Sequence, residues 1–177
     1  MRELKPEEAK KVEQRLRKYV GNNVDSIFNP TYVLALQGPR VFYARRDLYN
    51  KAAPLPRDAV VSVGTCLGRF TKSERFILKI TALPLLVTYA TDSVRVRASA
   101  EMHFVYGNHI QKTHLHRIEP ETLKNAGVLV LSPNNIPLGF GVTSKAGTEI
   151  VSGDNSAIVV LRHGDTGEYL REEQSVM

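Results

Sequence analysis

The run Ile136-Pro137-Leu138-Gly139-Phe140-Gly141-Val142 constrains the fold of this chain more than any other segment. It reads as an apolar strand with glycines at i and i+2, entered through the turn Ser132-Pro133-Asn134-Asn135. Glycine inside a strand marks a bend or the close approach of another backbone. Upstream, Phe104-Val105-Tyr106-Gly107-Asn108-His109-Ile110 places a glycine-anchored turn after a short amphipathic helix. That helix is expected to start at Ser99 as N-cap, with Glu101 in its first turn and with Met102, Val105 and Tyr106 on it. Residues 94–98 alternate as a half-exposed strand does, and 127–131, 138–143 and 157–161 are further apolar strands. Many short strands, glycine and proline turns and one small helix predict a β-barrel.

The first half has a different grammar. Residues 6–20 read as a helix, with Pro6 in the first turn, Glu7 and Glu8 at its positive end and Gly21 as the C-cap. Val12, Leu16, Tyr19 and Val20 fall on one face of it. Residues 32–36 and 41–44 flank Gln37-Gly38-Pro39-Arg40 as a hairpin, and 45–51 suits a short helix. Strands are expected at 60–64 and 76–81, and a helix at 83–89. The fold class is therefore α+β: an N-terminal α/β domain with an antiparallel sheet and helices, followed by the barrel. The polar step Thr91-Asp92-Ser93 sets the boundary, giving domains 1–92 and 93–177.

Composition narrows the function classes. No apolar run approaches the roughly 20 residues of a membrane span. The charged start Met1-Arg2-Glu3-Leu4-Lys5 lacks the apolar core of a secretion signal, and the single cysteine excludes an internal disulfide. An intracellular, soluble protein is expected. The net charge of +6 suits a nucleic-acid partner, but it is unevenly spread. Residues 1–92 hold 16 Lys/Arg against 9 Asp/Glu, whereas 93–177 hold 8 against 9. RNA binding by the second domain therefore needs a local patch.

Gly64-Thr65-Cys66-Leu67-Gly68 matches a cysteine nucleophile elbow in spelling. The basic stretch after it offers no amphipathic helix, so a tight glycine turn with a small buried thiol is the better reading. His103, His109, His114 and His116 lack the spacing of a metal site, although His114 and His116 share a strand face. No catalytic residue, metal ligand or cofactor is expected. The densest basic and hydrogen-bonding group of the second half is Arg95, Arg97, Asn108, His109, Lys112, His114, His116 and Arg117, with Glu101 the one acid between 93 and 118.

The two glycine segments together resemble the halves of a PUA domain, a small RNA-binding barrel. With Gly64-Thr65-Cys66-Leu67-Gly68-Arg69-Phe70-Thr71-Lys72, the whole chain resembles the small two-domain family of 60S subunit biogenesis factors with a C-terminal PUA domain (Nip-seven type). The resemblance implies a non-catalytic assembly factor in the nucleus and nucleolus, acting in pre-rRNA processing. It implies pre-rRNA, pre-60S assembly factors and an rRNA methyltransferase as partners, no membrane, and a monomer when free. RNA contacts are expected at Arg95, Arg97, Gly107, Asn108, His109, Lys112, Arg117 and Lys145. Partner or rRNA contacts are expected at Arg69, Lys72 and Arg75. Archaeal relatives carry a basic cluster after the strand equivalent to 138–142. Here Ser144-Lys145-Ala146-Gly147-Thr148-Glu149-Ile150 keeps Lys145 alone, opposed by Glu149, which fits a eukaryotic member. The alternatives are a PUA protein acting on tRNA or in translation, and a hydrolase using Cys66.

Overall fold

The computed structural model describes residues 1–56 and 59–172. The end of the second expected domain, residues 173–177, lies outside the described residues. Two compact units emerge: Met1–Arg17 with Gly21–Ala82, and Lys18–Val20 with Leu83 onward.

The first unit is a five-stranded antiparallel sheet, in the order β1 (Arg2–Glu3), β2 (Tyr32–Gln37), β3 (Arg40–Arg45), β4 (Thr65–Phe70) and β5 (Phe76–Leu78). Helix α1 (Pro6–Val20) opens with Pro6, and Glu8 accepts the Lys5 N–H at 2.8 Å while Arg2 grips its carboxylate. These bonds hold the Glu8 carboxyl down at about 2. The four apolar residues read from the periodicity, Val12, Leu16, Tyr19 and Val20, are all fully buried. After α1 come a short helix α2 (Val24–Ile27), the β2–β3 hairpin and α3 (Arg46–Ala52). Val33, Ala35, Ala44 and Tyr49 form one apolar cluster there.

Two expectations for this unit need correction. Residues 60–64 are not a strand; the strand is Thr65–Phe70. The G-x-C-x-G motif is thus mostly the strand itself, rather than a turn that follows one. Its second glycine explains why: a Cβ on Gly68 would sit 2.0 Å from the Ile77 carbonyl oxygen, so β4 and β5 pair at a separation that excludes a side chain. The second expected strand, 76–81, stops at Leu78 and continues as a single 3-10 turn, Ile80–Ala82.

The second unit begins with α4 (Leu83–Tyr89). Its sheet contains β6 (Ser93–Val96), β7 (Ile110–Gln111), β8 (Leu115–Ile118), β9 (Gly127–Leu131), β10 (Pro137–Thr143) and β11 (Ile158–Asp165). The order β7-β11-β10-β9-β6-β8 curls into a nearly closed barrel, with one parallel pair, β6–β9. Val94, Val96, Phe104, Ile110, Val128, Val130, Ile150 and Val160 are among the residues filling it. Helix α5 (Ala98–Val105) starts earlier than expected, with Arg97 rather than Ser99 as N-cap. The segment around Lys145 leads into α6 (Gly147–Ser152). The last strand runs past the expected 157–161 to Asp165, and Glu168–Arg171 is a short helix, α7. The Asp165 carboxylate accepts the Gly167 N–H at 2.9 Å, which turns the chain out of the sheet.

The glycine-rich strand β10 sits in the middle of this sheet, between β9 and β11. A Cβ on Gly141 would lie 2.5 Å from the Leu161 carbonyl oxygen. Next to it, Phe140 is fully buried and meets the Tyr19 ring edge-on at 5.4 Å, while the Tyr19 hydroxyl bonds His163 Nδ1 at 2.6 Å. Backbone cannot yield as a side-chain tip can, so Gly141→Ala is expected to cost about 1–3 kcal/mol by overpacking. A urea titration checks it, and a midpoint equal to that of the parent would contradict the close-approach account.

Candidate nucleic-acid interface

The structure divides the expected RNA residues among four places in the second unit, Arg95 standing apart on β6. Arg97, Lys112 and Arg117 line one open groove of about 480 Å³, together with His116, Thr113, Asn155 and the apolar Ile150 and Val151. Gly107, Asn108 and His109 lie at the far end of α5 from Arg97. Lys145 is exposed in the turn before α6 and is not part of the groove lining.

The groove is assembled by β8, the turn after β7 and the end of α6. Backbone bonds from Lys112 N–H to Ala157 O and from Thr113 N–H to Asn155 O bring residues 155–157 against the turn. Nothing local in the sequence signals that pairing, so Asn155, Ile150 and Val151 escape a reading by motif. His116 is legible as a member of the basic cluster. Arg95 is the cross-strand partner of Arg117 in the β6–β8 pair, which sets two like charges side by side. Each has its own restraint: Arg95 Nε donates to Asn135 Oδ1 at 2.7 Å, and Arg117 pairs with Glu119 at 3.1 Å.

The cations of this group have different duties. Arg97 Nε donates to the Leu115 carbonyl at 3.0 Å, which fixes the guanidinium plane. Arg117 and Glu119 are 61% and 56% exposed, and such a surface pair contributes little, so a phosphate can replace the carboxylate. Lys112 differs. Its ammonium donates to Val151 O at 2.8 Å and to Gly153 O at 2.6 Å, satisfying carbonyls at the end of α6. The lysine read from sequence as a phosphate contact is tied to the fold.

At the other end of α5, Gly107 takes φ +96, a conformation that favours glycine. Asn108 Nδ2 donates to the His103 carbonyl at 3.0 Å, leaving its side-chain oxygen as an acceptor. His109 Nδ1 accepts the Arg162 N–H at 3.1 Å, which places the ring proton on Nε2 as a donor. Tyr106, beside them, is 67% exposed. Between the two ends, the His103 and His114 rings lie 4.5 Å apart. Burial, and then the neighbouring His103, hold the His114 imidazole below its usual value of 6.5.

In the first unit, Arg69, Lys72 and Arg75 are brought together by the tight β4–β5 turn, closed by Thr71 N–H to Arg75 O at 2.9 Å. Register adds a cation the sequence does not reveal, because Arg40 is the cross-strand partner of Arg69. The one acid of the turn, Glu74, is turned to Lys11 at 2.9 Å. Cys66 is half-buried, its Sγ faces the Gly68 carbonyl at 3.6 Å, and burial pushes the thiol up. An activated thiolate needs the opposite shift. Among the described residues no group of three or more His, Cys, Asp or Glu is placed to hold a metal ion. No helix among them is long and apolar enough to cross a membrane.

Lys112→Met is expected to lower stability by about 1 kcal/mol or more, the worth of a charged hydrogen bond to a backbone carbonyl. Chemical denaturation reads this directly. His114 makes stability depend on pH. It gives up its proton more readily in the folded chain than in the unfolded one, so the unfolded state gains protons first as pH falls. Stability is therefore intact above 6.5 and declines as pH drops below it towards the lowered folded value. His114→Gln should flatten that part of a pH–melting-temperature profile; an identical slope would place the titration elsewhere.

Comparison with known proteins agrees with this architecture. The NIP7/UPF0113 pre-PUA domain family matches residues 1–80, and the UPF0113 PUA domain family matches residues 92–174. A protein of Danio rerio named "60S ribosome subunit biogenesis protein NIP7 homolog" is 43% identical, covering 99% of both chains. Its namesake from Dictyostelium discoideum is 42% identical over 98% of both. Among solved structures, a PUA domain protein of Aeropyrum pernix superposes with a TM-score of 0.63 at 16% identity, covering 98% of this chain and 90% of that one. A conserved PUA domain protein of Thermoplasma acidophilum gives 0.58 at 14% identity over 97% of each chain. Those two likenesses speak for the fold, and the full-length identities above 40% speak for the family: the chain belongs to the NIP7 family of PUA-domain proteins.

Proposed function

We propose that the chain is a non-catalytic assembly factor of the large (60S) ribosomal subunit. It binds pre-rRNA through the second unit and engages rRNA or a partner protein through the basic turn of the first. The observation that carries the RNA reading is the groove: Arg97, Arg117 and His116 line one open surface in a unit with no excess of positive charge. Single-stranded RNA is the class that suits it. Fixed guanidinium groups suit phosphate oxygens, and an unpaired strand can lay its backbone in an open channel while its bases reach neighbouring donors and acceptors. Asn108 Oδ1 and His109 Nε2–H offer one acceptor and one donor at the glycine loop. Arg95 is placed to extend the cationic surface beside Arg117, and Lys145 is left as a peripheral contact.

The same reading makes the nucleus and nucleolus the site of action, pre-60S assembly factors and an rRNA methyltransferase the protein partners, and the free protein a monomer. The domain boundary proper is placed at the polar step 91–93, giving an N-terminal domain 1–92 and a PUA domain 93–177.

The test is a salt titration of the full chain on single-stranded RNA. Removing one phosphate-binding cation should flatten the slope of log K against log salt by roughly 0.7. Arg97→Ala with Arg117→Ala should therefore lower affinity across sequences and reduce the slope by about 1–1.5. A slope that stays at the parent value would move the RNA contact away from the groove. In cells, crosslinks of the chain should map to pre-rRNA; crosslinks confined to tRNA would overturn the assembly reading. For the first unit, reversing the charges of Arg69, Lys72 and Arg75 together should weaken co-sedimentation with pre-60S particles while leaving the far-ultraviolet circular dichroism unchanged.

A further inference from the structure

The segment after β11 is held by ions rather than by apolar packing. Leu170 is 88% exposed and Tyr169 is 42% exposed. Asp165, in contrast, is fully buried, and its carboxylate takes Arg162 at 2.5 Å and Arg171 at 2.9 Å on both oxygens. Arg162 also holds Glu168 at 2.7 Å. Two cations and two buried carboxylates thus neutralise one another, so this cluster attracts no phosphate by net charge. What it touches is the glycine loop. Arg171 Nη1 donates to the Val105 carbonyl, at the last residue of α5. A Cβ on Gly107 would lie 3.4 Å from Arg171 Nη2. The Arg162 backbone N–H fixes the His109 ring.

We infer that Asp165 and Arg171 are positioning residues for the RNA-contact loop 106–109, acting without touching RNA. This rests on the RNA reading given above. The loop has no apolar anchor of its own, since Tyr106, Asn108 and His109 are exposed, and its entry and exit are fixed from the C-terminal segment. The planar fork of Arg171 spans the Asp165 carboxylate and the Val105 carbonyl together, which the point charge of a lysine cannot do. Removing Asp165 would take the shared carboxylate from both arginines, leaving Arg162 with Glu168, so Arg171 is the residue to vary.

The experiment compares the full-length parent, Arg171→Ala and Arg171→Lys by amide hydrogen exchange and by salt-titrated binding to a single-stranded RNA oligonucleotide. In Arg171→Ala, the Tyr106 and Gly107 amides should exchange about tenfold faster, with the barrel strands β9 and β10 unchanged. Affinity should fall by about threefold to tenfold with the salt slope intact, because every phosphate-binding cation is still in place. Arg171→Lys should stay close to Arg171→Ala. Three results would overturn the inference: unchanged loop exchange, a loop that loosens with no loss of affinity, or a slope flattened by roughly 0.7, which would make Arg171 itself a phosphate ligand. Failure of the underlying reading looks different: the parent chain would bind no RNA, and the loop would then have no RNA to be positioned for.

Discussion

The barrel of the second unit depends on one close crossing. β10 runs between β9 and β11 at a separation where a single added carbon at Gly141 would meet the Leu161 carbonyl. Backbones that approach so closely let a short sheet curl sharply, and curling is what brings β7 to β11 on one side and β8 to β6 on the other. The groove exists because of that curl: its walls come from β8, from the turn after β7 and from α6, which no local pairing in sequence joins. Phe140, between the two glycines, buries its ring against Tyr19, and a Cβ on Gly164 of the neighbouring strand would meet that ring at 2.9 Å.

Charge in this chain is informative by position and not by sum. The excess of Lys and Arg lies in the first half, yet the shaped cationic groove lies in the half with 8 basic and 9 acidic residues. Three of the acids there are engaged away from the groove cations, Asp165 and Glu168 buried with Arg162 and Asp154 bound to Ser156, while Glu119 pairs with Arg117 at the surface. Sorting cations by partner gives a second division. A lysine that caps backbone carbonyls, as Lys112 does, adds field to the groove but has two of its three N–H donors committed to the fold. An arginine held by one nitrogen, as Arg97 is, keeps its outer edge for a ligand while losing little entropy on binding.

Where sequence reasoning succeeds, the signal is local and periodic. Helix α1, the β2–β3 hairpin and the alternation of Val94 and Val96 all follow from patterns of a few residues, and burial agrees with each. Where it misses, the cause is long-range. Gly64 to Gly68 has the spelling of a turn, but the register of β4 against β3 and β5 decides that it is strand. The end of β11 turns on Asp165, whose partners Arg162 and Arg171 flank it in sequence and mean nothing until the chain folds back. The candidate site is legible as a composition of residue types between 93 and 118. The way Lys112 is tied to the end of α6 while it lines the groove comes from carbonyls contributed by residues 151–157, which no motif announces.

The loop and the groove differ in what they can offer RNA. The groove contributes charge, which is long-ranged, weakened by salt and indifferent to base identity. The loop contributes one acceptor on Asn108 and one donor on His109, each aligned by a bond its side chain has already made. Such groups discriminate only if their geometry is fixed beforehand, since an unaligned donor gives up its bond energy to becoming ordered. On the proposed reading, that requirement accounts for a loop braced by a buried carboxylate with two arginines, an arrangement that is costly to desolvate and weak as a source of stability. In the proposed RNA reading, affinity and specificity fall to opposite ends of α5, an eight-residue helix whose inner face, Ala100 and Phe104, is buried in the barrel core. With that face packed in the core, the spacing between the proposed phosphate contact and the proposed base contact is set by the fold.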